Sequence, residues 1–166
     1  SGKIELESRP FNVSTLFNEI IEEYSAKAKE RGLKINDFFD SYIPSMLNGD
    51  TNRLRQVICI FADNAIKFTE QGEVILSAEM VEKADQYVKL RFKIKDTGIG
   101  MNEKLKNNLF KIDMKVSREG TEDEPSSGLG LLLCKEFVEK NCGDIFVESE
   151  EGKGSEFRIT LKRSLQ

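Results

Sequence analysis

The sequence predicts an α+β fold, a two-layer sandwich in which a mixed, mainly antiparallel sheet of about five strands is covered by three long helices. Three observations predict it. Apolar residues recur at helical spacing in three long segments that begin near Asn12, Asp50 and Gly128. Between them lie runs in which apolar and polar residues alternate, the period of a strand with one buried face. Several of these runs are neighbours joined by short polar turns, so they read as antiparallel hairpins, with the helices forming the second layer.

Taken in order, Lys3 to Phe11 reads as a short strand or extended lead-in. A first helix runs from Asn12 or Ser14 to Arg31, with Leu16, Phe17, Ile20, Ile21, Tyr24 and Ala28 on its inner face and Gly32 as its stop. Leu33 to Phe39 and Ile43 to Leu47 are short strand candidates broken by Asp40, Ser41 and Pro44. Asp50 caps a second helix to about Phe68, with Leu54, Val57, Ile58, Phe61 and Ala65 facing inward. Glu73 to Val81 and Tyr87 to Lys95 form a hairpin through Lys83 to Gln86. A short helix covers Glu103 to Leu109, and Gly128 opens a third long helix that ends near Asn141. Asp144 to Ser149 and Glu156 to Leu161 close the chain as a last hairpin. Between Phe110 and Ser127 the apolar period lapses. A polar stretch of that length is uncommon in a compact domain unless it serves as a lid or is disordered.

Length and composition narrow the function classes. The 166 residues suit a single domain, and 39% hydrophobic with 33% charged residues mark it as globular. A net charge of -4 with no basic stripe argues against a nucleic-acid surface. No apolar run approaches the roughly 20 residues of a membrane helix. Cys59, Cys134 and Cys142 lack metal-ligand spacing and read as reduced thiols, mostly in the core. Histidine is absent, so no residue of this chain serves as a histidine acid, base or phosphoacceptor.

Chemistry concentrates in three places. Asp96-Thr97-Gly98-Ile99-Gly100-Met101 follows a strand, so a carboxylate sits at a turn where glycines relieve hindrance and let a flat ligand approach; an ionised Asp accepts a hydrogen bond from the exocyclic amine of a purine. The same pattern also serves as a plain turn. Gly128-Leu129-Gly130-Leu131 lies where a helix begins, which suits either a phosphate on unpaired N–H groups or close packing of helix on sheet. Ile60, Asn64 and Lys67 share a second stripe of the Asp50 helix: the Asn64 amide oxygen suits a hard Mg²⁺, and Lys67 suits a phosphate or bulk water. No P-loop, dinucleotide fingerprint or protein-kinase motif occurs.

Asn64-Ala65-Ile66-Lys67-Phe68-Thr69, Asp96 to Met101, Gly128 to Leu131 and Gly152-Lys153-Gly154-Ser155, in this order, resemble the boxes of the catalytic ATP-binding domain of sensor histidine kinases, a fold shared with DNA gyrase and a class of heat-shock chaperone. The resemblance runs from about Ile4 to Leu161. It implies that Asp96 receives the adenine amino group, with Gly98, Ile99, Gly100 and Met101 shaping that pocket. It further implies that Asn64 holds Mg²⁺, Lys67 approaches the phosphates, and Gly128, Leu129, Gly130 and Leu131 form the phosphate-side turn. Leu109-Phe110 matches the hinge of an ATP lid, so residues 110–127 are expected to be flexible and to close over ATP. Residues 1–11 would lead in from a helical dimerisation and phosphoacceptor domain outside the chain. The γ-phosphoryl group of ATP would pass to a histidine there, with Asn64 and Lys67 as catalytic residues, and then to a response regulator receiver domain. The chain itself is expected to be monomeric, and cytoplasmic even where the parent protein is anchored in the inner membrane.

Two departures stand out. Ile60 occupies the position where the family usually carries a first Asn, so one polar ligand is missing, and Ser126-Ser127 precedes the Gly128 turn where Gly-Thr is usual. They leave open a nucleotide-binding module with impaired catalysis. A serine-directed kinase or ATPase of the same fold is a third reading, weakened by the lack of a carboxylate at position 60.

Overall fold

The computed structural model describes residues 8–109 and 128–165. Local chemistry sets the element ends. β1 (Arg9–Asn12) passes directly into α1 (Val13–Glu30), where the Asn12 side chain accepts from Thr15 N at 2.9 Å, and Gly32, at φ 72°, turns the chain out of the helix. β2 (Lys34–Phe39) and β3 (Met46–Gly49) follow. α2 (Thr51–Lys67) is capped by Asp50, which accepts from Arg53 N at 3.0 Å. β4 (Glu73–Lys83) and β5 (Tyr87–Asp96) form the expected hairpin, and α3 (Glu103–Asn108) is a short helix. α4 (Gly128–Lys140), β6 (Asp144–Glu150) and β7 (Gly154–Leu165) complete the described chain.

The sheet has seven strands among the described residues, in the order β1-β3-β7-β5-β4-β2, with β6 also on β7. Only the β2–β4 pairing is parallel. The count exceeds the expected five because the short strand candidates on either side of α1 all join the sheet, β1 and β3 at one end of the order and β2 at the other. The strand expected over Ile43 to Leu47 lies later, at Met46–Gly49. Pro44 cannot donate to a ladder, and Ile43 N instead closes a turn onto Asp40 O at 3.2 Å. β7 is long enough to share one edge between two partners: Gly154 to Thr160 pair with β6, while Ser164 and Leu165 pair with β3.

The apolar residues of β4, β5 and β7 bury one sheet face under α1, α2 and α4, and Phe17, Ile20, Leu54, Ile58, Phe61 and Phe137 are nearly sealed from solvent. Phe17 stacks on Phe39 at 5.4 Å and Phe61 on Phe157 at 4.7 Å, tying helix to sheet. The other face is polar, with pairs such as Arg158 to Glu148 at 2.8 Å and Lys93 to Glu79 at 3.5 Å that contribute little individually. Cys134 is buried, which pushes its thiol up to about 12, and burial also raises Cys59, so neither is a thiolate at neutral pH. No described helix is long and apolar enough to cross a membrane.

The registers Val74↔Asp96 and Asp96↔Ser155 bring the start of β4, the end of β5 and the start of β7 together at one sheet end. Val74, Asp96 and Ser155 meet there. Packing of α1 on the sheet supports this arrangement, so Phe17→Ala is expected to lower unfolding free energy by about 3–5 kcal/mol in urea denaturation, with the urea dependence (m value) unchanged.

Candidate functional site

Asp96 ends β5 and is 7% exposed. A buried carboxylate requires donors, and its Oδ1 accepts from Gly98 N at 2.9 Å and from Ser155 N at 3.3 Å. One donor comes from the turn after β5, the other from the start of β7. The carboxylate is therefore oriented by backbone on both sides.

The turn beyond it is clamped equally tightly. Thr97 N donates to Glu73 O at 3.2 Å and Ile99 N to Phe68 O at 3.2 Å, while Ile99 O accepts from Gly152 N at 2.7 Å. A Cβ on Gly98 would lie 2.1 Å from Phe68 O, and one on Gly100, at φ +69°, would lie 2.0 Å from Glu150 O. From sequence these glycines are expected to open room for a flat ligand. In the structure the room beside them is filled by protein backbone, so they press the turn between the end of α2 and the β6–β7 turn and thereby fix Asp96.

Asn64, Ala65, Phe68, Asp96, Met101, Leu109, Leu131, Ser155 and Phe157 line one cavity. The α2 amide, the β5 carboxylate and the start of α4 thus face the same space. The cavity measures about 20 Å³, room for one water and too small for a purine. Met101, Leu109 and Leu131 are buried along it; Leu109 ends the described chain before residues 110–127, and Leu131 lies in the first turn of α4 after them. A nucleotide would enter by displacing these apolar walls. Asp96 also borders a wider groove of about 410 Å³, where Glu148, Glu150 and Glu156 outnumber Lys95 and Lys153 and so oppose a polyphosphate.

Not every candidate joins the cavity. Lys67 is half-buried, its Nζ 5.9 Å from the Phe68 ring centre, and does not line it; Ile99 is 43% exposed. Gly98 and Gly100 act on it only through Asp96 and Met101. Gly128, Leu129 and Gly130 lie within the first turn of α4 rather than in a turn ahead of it. Phe110 and the expected lid fall outside the described residues. Ile60 faces a gap beside Val57, Leu133, Cys134 and Phe137, so this position serves packing of α2 on α4.

Three residues escaped sequence reasoning as individuals. Ser155 holds Asp96; Ser149 Oγ accepts from Met101 N at 2.8 Å and donates to Gly154 O at 3.0 Å; and the fully buried Thr69 donates Oγ1 to Ala65 O at 2.7 Å against the Gly98 turn. The Gly152 to Ser155 motif was the available signal. A Cβ on Gly154, at φ +114°, would lie 2.1 Å from Asp96 O. For Mg²⁺, Asn64 supplies one hard oxygen, and no group of three or more Cys, Asp or Glu side chains converges among the described residues. That fits an ion held chiefly by phosphate oxygens and water.

A family model described as histidine kinase-, DNA gyrase B-, and HSP90-like ATPase matches residues 49–165. The chain is 32% identical over 162 residues to the sensor protein GacS of Pseudomonas syringae pv. syringae, covering 98% of this chain and 18% of that protein. It is 31% identical over 163 residues to the hybrid signal transduction histidine kinase L of Dictyostelium discoideum, covering 98% of this chain and 10% of that one. The chain thus spans less than a fifth of either relative. The crystal structure of full-length ShkA in complex with AMPPNP is similar at a TM-score of 0.82 and 29% identity, over 98% of this chain and 32% of that chain.

The clamp makes the turn intolerant of side chains. Gly98→Ala is expected to cost about 1–3 kcal/mol of stability in urea denaturation, since the opposing atom is backbone and cannot rotate away; an unchanged midpoint would show that the Phe68 contact carries no strain.

Proposed function

This chain belongs to the histidine kinase-, DNA gyrase B- and HSP90-like ATPase family, and from that premise we propose that it is the catalytic domain of a sensor histidine kinase, binding ATP for transfer of the γ-phosphoryl group to a histidine of a helical dimerisation domain. The observation that carries this reading is the convergence of Asp96, Asn64 and Leu131 on one cavity, from three elements distant in sequence.

The division of labour follows from the residues. Asp96, oriented by Gly98 N and Ser155 N, presents an acceptor to the adenine amino group. Ala65, Phe68, Met101, Leu109 and Phe157 offer apolar surface to the faces of the base. The Asn64 amide oxygen would serve as one ligand of Mg²⁺, and Lys67, now beside the Phe68 ring, would offset phosphate charge. Gly128, Leu129 and Gly130 begin α4, where N–H groups unpaired within the helix and the helix dipole favour a phosphate. When bound, Mg²⁺ neutralises charge on the phosphates. The chain contributes positioning rather than a nucleophile, consistent with its lack of histidine. A response regulator receiver domain is the downstream partner, and the domain works in the cytoplasm.

One observation favours a second reading. Ile60 packs toward α4 and offers no polar ligand, and without that ligand the domain would bind nucleotide without transferring phosphate.

Asp96→Asn is expected to weaken ATP binding about 5- to 150-fold, the equivalent of a mispaired buried group at about 1–3 kcal/mol; equal affinities by calorimetry would remove Asp96 from the site. Incubating the chain with labelled ATP and a separate dimerisation domain is expected to yield phosphohistidine. If it yields none while Ile60→Asn restores transfer, the binding-module reading replaces the kinase.

A further inference from the structure

The registers Asp96↔Ser155 and Ser149↔Ser155 place three polar side chains in one row across the sheet, Asp96 on β5, Ser155 on β7 and Ser149 on β6. Ile94 and Phe157, two residues along the same strands, belong to the core, so the row faces the helices, where the nucleotide cavity lies. Asp96 and Ser155 line that cavity and Ser149 does not. Ser149 therefore acts on it only through its neighbours.

Its single proton fixes how. A serine hydroxyl donates once and accepts at two lone pairs. Met101 N, 2.8 Å from Ser149 Oγ, is a donor, and Gly154 O, 3.0 Å away, is an acceptor, so the Ser149 proton belongs to Gly154 O. The remaining contact, with Ser155 Oγ at 2.8 Å, is then made by the Ser155 proton. Gly154 keeps this arrangement in place: at φ +114° it is pressed against Asp96 O, where a Cβ would lie 2.1 Å away, so its carbonyl has little freedom to turn. With its proton committed to Ser149, the Ser155 hydroxyl can only accept from anything else.

We propose that Ser149 is a positioning residue for base selection: by drawing the Ser155 proton to itself, it leaves an acceptor beside the Asp96 carboxylate. A 6-amino group offers two N–H bonds, enough for both acceptors, whereas the 6-oxygen of hypoxanthine or guanine would meet lone pairs on each side. The proposal deepens the function given above and rests on its assignment of Asp96 to the adenine amino group.

The test titrates the 166-residue chain calorimetrically with ATP and with inosine triphosphate, which carries an oxygen in place of the 6-amino group. The parent is expected to favour ATP by at least about fivefold, and Ser149→Ala, which frees the Ser155 proton to turn toward a 6-oxygen, to lower that ratio about fivefold. Ser149→Thr keeps the hydroxyl on a side chain suited to a strand and is expected to retain the parent ratio. Loosening of the turn alone would weaken both nucleotides alike and leave the ratio unmoved. In a Ser155→Ala background, adding Ser149→Ala should not change the ratio, because the proton it directs is gone. Should Ser149→Ala not fold, Ser149→Cys, close in size but a weak donor and acceptor, is expected to lower the ratio in the same direction. A parent ratio near one, or a ratio that Ser149→Ala leaves as it was, overturns the role of Ser149 while the kinase reading stands. A parent that binds neither nucleotide overturns both.

Discussion

A carboxylate sealed from water must be met by donors that cannot move away, and around Asp96 this requirement organises one end of the sheet. Gly98 N reaches it from its own turn, but Ser155 N reaches it across the sheet, so the acceptor is held only when β7 lies in register with β5. The local turn and the long-range ladder are two halves of one constraint. Loss of either leaves a buried charge underpaired, which is costly enough to oppose alternative registers.

The glycines extend the same logic. Gly98, Gly100 and Gly154 each bring backbone against backbone, at Phe68, Glu150 and Asp96. Three segments far apart in sequence, the end of α2, the turn after β5 and the β6–β7 turn, thereby become one rigid block. Preorganisation of this kind is what a site needs when it acts by positioning rather than by supplying a nucleophile. The wall opposite is different in character. Met101, Leu109 and Leu131 close the cavity by apolar contact alone, and contacts without fixed direction can be exchanged for the faces of a base.

The helix stripe through Ile60, Asn64 and Lys67 shows how one turn of helix divides labour. Asn64 meets the cavity, Ile60 meets α4, and Lys67 rests by Phe68. Isoleucine at the α2–α4 contact favours helix packing. At the far end of β7, Arg163 presents the reverse situation: a charge retained in a buried position that packing alone would fill with an apolar side chain.

Much of this was legible in the sequence. Periodicity located α1, α2, α4 and the β4–β5 hairpin to within a few residues, because helical and alternating patterns are local properties of a half-buried element. The ordered motifs at Asn64, Asp96, Gly128 and Gly152 identified the family, since each pairs a special residue with a special backbone. What remained hidden depends on contacts between distant segments. That β7 divides its edge between β6 and β3, that Ser155 holds Asp96, that a Cβ on the turn glycines would meet protein backbone, and that Arg163 ends beside Gly49 follow from strand register, which couples residues tens of positions apart. A sequence determines which side chains alternate and where a turn is permitted; only the folded sheet decides which backbone each of them meets.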